Sequence, residues 1–90
     1  MTREQVKQVL ENEVFTKVKE NVYSFGYSRF TLEGWGLDCE FCVGEYGYTV
    51  RFNYSCRYDE IEEFEVEGEE GDHEILIHRL GGISSLVLND

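Results

Sequence analysis

The chain contains no proline, one tryptophan and one methionine, and only eight lysine and arginine residues among its 90. Without proline there is no stiff polyproline linker, and a chain of this length holds one hydrophobic core, so a single domain spanning residues 1–90 is expected. The eight basic residues face nineteen acidic ones, which leaves a formal net charge of -11. That field repels phosphate backbones and anionic lipid and attracts basic surfaces. Neither direct nucleic-acid binding nor membrane association is therefore expected. The sequence also lacks an eighteen-residue apolar run and an apolar segment near its start, so no transmembrane helix or signal peptide is expected, and the default location is cytoplasmic. Three cysteines, Cys39, Cys42 and Cys56, cannot all pair within the chain and do not have the spacing of a secreted disulfide scaffold. Reduced thiols are expected.

What the chain does have is 41% hydrophobic residues, with six Tyr and six Phe. The N-terminal stretch TREQVKQVLENEVFTKVKEN opens with Thr2 and Gln5 at capping-box spacing. Val6, Val9, Leu10, Val14 and Val18 then repeat at three and four, with Phe15 beside them, which predicts an amphipathic helix over residues 3–20. Glu4 near its start and Lys17 and Lys19 near its end suit the helix dipole. Its β-branched content lowers intrinsic propensity, so it needs a sheet to lie on.

From Val22 the period becomes two. VYSFGYSRFTL places Tyr23, Phe25 and Tyr27 on one side and then Phe30 and Leu32, with a bulge at Gly26 or Ser28 absorbing the change of register. LDCEFCV and YTVRFNYSC alternate cleanly around the GEYG link and predict a hairpin from Leu37 to Tyr54. Phe52 is expected to be buried in it. IEEFEVE and HEILIHRL form the next pair, with EGEEGD as their turn and Phe64, Val66, Ile75 and Ile77 as the inward row. The expected fold class is α+β, one N-terminal helix packed on an antiparallel sheet of about five strands. Those strands are placed at 22–32, 37–43, 48–56, 61–67 and 74–80, with a short one at 83–88.

Three patterns invite functional readings. Cys39 and Cys42 have CxxC spacing, with Cys56, His73 and His78 as further metal ligands in principle, but residues three apart on a strand point to opposite faces. Cys39 reads as a small core residue and Cys42 as a partly covered one. Glu63, Glu65, Glu67, Gly68, Glu69 and Glu74 match several positions of a calcium-binding EF-hand loop, yet the early aspartates are missing and the flanks alternate like strands. No metal or cofactor is expected. No nucleophile and base are brought together by any motif, and there is no phosphate-binding glycine loop, so the chain does not read as an enzyme.

The third pattern is DEIEEFEVEGEEGDHEI, residues 59–75, which carries many carboxylates and no lysine or arginine. Ile61, Phe64, Val66, Ile75 and Ile77 recur within it, so it reads as a folded hairpin and not as a disordered tail. Glu60, Glu62, Glu63, Glu65, Glu67, Glu69, Glu70, Asp72 and Glu74 then lie on its outer face and tip. Carboxylates about 3.3 Å apart along a strand, with strands about 4.8 Å apart, present charge on the scale of a phosphate backbone. The expected function is an acidic inhibitor that occupies a basic, nucleic-acid-binding surface of a partner protein. Small viral counter-defence proteins and the immunity proteins of nuclease toxins use this strategy. Trp35 and Tyr46 are the aromatic contact anchors in this reading. A homodimer is compatible with it. The alternatives are a structural or assembly protein whose acidic hairpin keeps it soluble, and a small metal-binding domain.

Overall fold

Thr2 caps the chain's first element as its spacing predicts. Its hydroxyl accepts from the Gln5 amide at 3.2 Å, and the Gln5 side chain accepts from the Thr2 amide at 2.8 Å. In the computed structural model, which describes residues 1–45, 48–80 and 85–89, this box opens α1 (Arg3–Leu10). There follow β1 (Thr16–Lys19), β2 (Val22–Phe25), β3 (Ser28–Leu32), β4 (Gly36–Glu45), β5 (Tyr48–Arg57), a 3-10 turn (Tyr58–Glu60), β6 (Ile61–Glu69), β7 (Asp72–Arg79) and β8 (Ser85–Asn89). The protein is thus mostly antiparallel sheet with one short helix. β1 to β5 form a five-stranded sheet in sequence order, and β6 to β8 form a separate three-stranded one. The single sheet of about five strands expected from sequence is corrected to two.

The helix is eight residues long and not eighteen. Glu11 and Asn12 donate to Lys7 and Val9 in a closing turn, and the Asn12 side chain then accepts from the Val14 amide at 3.1 Å. A short polar side chain that bonds its own backbone two residues on offers the chain an alternative to helix. Beyond this turn, Thr16–Lys19 is an exposed strand, with Val18 49% exposed and Lys17 and Lys19 outside the helix altogether. Phe15 is turned inward and is buried.

Residues 22–32 make two strands instead of one bulged strand. Phe25 pairs with Ser28 across a two-residue link in which Gly26 takes a φ of +59. Glycine at the first position of such a link adopts that angle without the Cβ clash other residues meet. Tyr27, expected on the core side with Tyr23 and Phe25, stands at the tip of this turn and is 91% exposed.

The expected β4–β5 hairpin is present, and its register runs from Gly36 opposite Arg57 through Phe41 opposite Phe52 to Glu45 opposite Tyr48. The strands therefore pair further into the GEYG link than expected. Leu37, Cys39, Phe41 and Cys56 are buried in it. Phe52, expected to be buried, is 41% exposed; it lies on β5, the edge strand of the larger sheet. It still packs on the Phe41 ring, with centroids 5.1 Å apart.

The inner sides of both sheets meet in one buried cluster. Phe30 of the larger sheet sits edge-on to Phe41 at 5.8 Å and to Phe64 of the smaller sheet at 6.2 Å, and Phe15 contacts both Phe30 and Phe64. Ile61, Ile75 and Ile77 complete the smaller sheet's contribution, and Val6 and Leu10 add that of α1. Aromatic rings thus supply the bulk that leucine and isoleucine provide in other small cores.

Candidate functional site

The acidic run forms β6, the hairpin tip and the start of β7, and its geometry follows from one irregularity. Ile61 pairs with Arg79 and Glu63 with His78, so Glu62 is an extra residue on β6. This bulge lets Ile61 and Phe64, three apart, both face the core, which strict alternation forbids. Beyond it the alternation is regular. Phe64 and Val66 turn inward, while Glu63, Glu65, Glu67 and Glu69 share the exposed outer face.

Across the hairpin, Glu67 lies directly opposite Glu74, and Glu69 opposite Asp72. Side chains so placed have Cβ atoms about 5 Å apart, and like charges there oppose pairing. On one face of a strand the carboxylates recur at every second residue, about 6.6 Å apart, twice the residue-to-residue spacing. The outer-face register of β7 continues through Leu76, opposite Glu65, to His78, opposite Glu63.

The expected site residues divide into three groups. Glu62, Glu63, Glu65, Glu67, Glu69 and Glu70 are exposed, and among the described residues no lysine or arginine lies within ion-pair distance of them. Glu60 is half-buried and is held by Arg79 at 2.9 Å, just as neighbouring Asp59 is held by Arg57 at 2.9 Å. Glu60 is therefore spent within the fold and does not belong to the open array. Glu74 is half-buried, and Asp72 is placed by its backbone register alone.

Trp35, 54% exposed, does not join the hairpin tip. It precedes Gly36, which pairs with Arg57, and the Tyr58 hydroxyl donates to the Glu33 carbonyl. These contacts set Trp35 at the end where β6 begins, while the tip beyond Glu69 lies about 26 Å further along the strand. Tyr46 lies outside the described residues.

The cysteines follow their strand faces. Cys39 and Cys56 are buried, and burial pushes the Cys39 thiol well above its ordinary range and raises that of Cys56. Cys42 is half-buried on the other side, and its amide donates to the Ser28 hydroxyl at 3.2 Å. Among the described residues, no three His, Cys, Asp or Glu side chains converge as metal ligands. The loop matched to an EF-hand is flanked by β6 and β7, where such a site requires helices.

Two surface features escaped the sequence pattern. One is a hollow of about 440 Å³ beside Tyr27, bordered by Arg29, Glu40 and Arg51, with Arg51 3.7 Å from Glu40. The Gly26 signal was legible there, but as a bulge it gave no reason to project Tyr27 outward. The other is a groove between α1 and β6, which no local pattern announces because its two walls are more than fifty residues apart. Among the described residues, no helix is long and apolar enough to cross a membrane. No family model, curated protein or solved structure matches the chain.

Proposed function

We propose that the chain is an acidic binding protein that inhibits a partner by occupying a basic, nucleic-acid-binding surface. The observation that carries this reading is the exposed outer face of β6. Four carboxylates, Glu63, Glu65, Glu67 and Glu69, are aligned there, with Glu74 and Asp72 placed opposite two of them and, among the described residues, no lysine or arginine within ion-pair distance. Elsewhere the fold does pair its charges, with Arg29 and Arg51 near Glu40 on the larger sheet and Arg79 on Glu60. Like charges facing each other across a ladder reduce stability, and solubility is served by a smaller and more mixed charge. A basic partner relieves that repulsion on binding and is steered toward the face as it approaches.

Capture of partners on immobilised protein, eluted stepwise with salt and identified by mass spectrometry, tests the proposal. A discrete basic protein that elutes as ionic strength rises, and that loses nucleic-acid binding when the chain is added, supports it. A captured protein whose nucleic-acid binding is unaffected by the chain contradicts the inhibitory role. Retention that does not respond to salt contradicts the electrostatic one.

A further inference from the structure

The groove between α1 and β6 is a shallow, open hollow of about 500 Å³. Met1 and Val9 give it apolar surface, while Glu62, Glu63 and Glu65 border it with carboxylates. The bulge at Glu62 creates this pairing of surfaces, since it is the extra residue that brings Glu62 and Glu63 consecutively to the groove while Phe64 stays 3% exposed. One cationic group lies close by. The amino group of Met1 donates to the carbonyls of Tyr58 at 2.9 Å and Ile61 at 2.6 Å, so it is engaged at the start of β6 and is outnumbered by the three carboxylates.

An apolar lining with an acidic border matches one kind of side chain. Arginine and lysine both carry an apolar stem and a charged head, but the guanidinium is planar, weakly hydrated and able to bind carboxylates with two parallel hydrogen bonds. The groove also runs along the edge of the smaller sheet. β6 is paired on one side by β7, and among the described residues Glu62–Glu69 make no backbone hydrogen bonds to any other element. An open strand edge is a template for an extended segment.

We propose that the groove receives an arginine side chain from an extended segment of the basic partner. The arginine's stem lies on Met1 and Val9, and its guanidinium lies among Glu62, Glu63 and Glu65. This rests on the acidic-binding reading above and gives it a specific anchor, which uses Glu63 and Glu65 of the outer face together with Glu62 and leaves out Glu67 and Glu69 toward the hairpin tip.

The test is an NMR titration of the isotopically labelled chain at low salt. The probe is a short blocked peptide in which arginine alternates with valine, compared with its lysine and citrulline counterparts. Saturable shifts at the Val9 methyls, the Gln8 side-chain amide and the Phe64 ring are expected, with affinity in the order arginine, lysine, citrulline. Gln8 is exposed and lines the groove, so Gln8→Arg should keep the fold, as judged by the unchanged remaining resonances, and weaken the arginine peptide about tenfold. Glu67→Gln with Glu69→Gln should weaken it less. Saturable shifts confined to Glu67, Glu69 and Glu74 would overturn the groove proposal and leave the acidic-face reading standing. Equal affinity for lysine and arginine would overturn the guanidinium assignment, and no saturable shift with any cationic peptide would overturn both readings.

Discussion

If the two sheets share one core through Phe30 and Phe64, the two rings must be energetically coupled. Their centroids are 6.2 Å apart at 68°, an edge-to-face arrangement, and Phe30 is fully buried while Phe64 is 3% exposed. Aromatic pairs of this geometry contribute about 0.5–1.5 kcal/mol beyond the area they bury. Truncation of either ring to Ala should cost about 3–5 kcal/mol. A domain of this size has a total stability of roughly 5–13 kcal/mol, so a double Ala variant is at risk of unfolding and a gentler change is needed. Phe30→Leu and Phe64→Leu should each cost about 1–3 kcal/mol. In a double-mutant cycle by urea denaturation they should fall short of additivity by about 0.5–1.5 kcal/mol, because the second substitution removes a contact already lost. Strict additivity would refute the packing of the sheets, and a changed urea dependence in the double variant would show that compactness had altered instead.

Four further outcomes follow from particular contacts. Gly36→Ala should destabilise the fold by about 1–3 kcal/mol or prevent folding, since its Cβ would stand 2.2 Å from the Cys56 carbonyl oxygen, measurable by thermal unfolding. Cys39 and Cys56 should react with a thiol reagent far more slowly than Cys42 in the native state, and at equal rates in denaturant. Their thiols are held neutral by burial while the unfolded chain ionises them, so the unfolded state binds fewer protons in alkali, and stability should fall as pH rises above about 8.5. Tyr23 works in the same direction at higher pH. Burial, and then its hydrogen bond to Glu11 at 2.6 Å, push its phenol up to about 12. Glu63→Gln, Glu65→Gln and Glu67→Gln together should leave the protein as stable or about 0.2–1 kcal/mol more stable in urea, because one of the changes removes the repulsion between Glu67 and Glu74.

The central hairpin and the acidic face were legible because alternation along a strand decides both. Leu37, Cys39 and Phe41 fall inward, and Glu63, Glu65 and Glu67 outward, without reference to any other part of the chain. The helix end was not legible, for a geometric reason. Val14 and Val18 are four residues apart, a spacing that suits a helix face and equally places two residues on one side of a strand, so the hydrophobic pattern continued past Leu10 while the backbone turned at Asn12. The division into two sheets was hidden too, since alternation gives the face of each strand and not its neighbours. At the candidate site, the loss of Glu60 to Arg79 depends on residues brought together by β6 and β7 pairing, and the groove depends on α1 meeting β6. Both are properties of tertiary arrangement.

The most direct test of the acidic face is the association rate of the isolated basic partner, measured by stopped flow across a range of salt. The wild type should associate fast at low salt and slow steeply as ionic strength rises. The variant with Glu63, Glu65 and Glu67 changed to Gln should associate about tenfold more slowly at low salt, with a flatter salt dependence and a smaller change in dissociation rate. An unchanged rate and affinity in the folded triple variant would contradict the account and leave the carboxylate array as a solubility device.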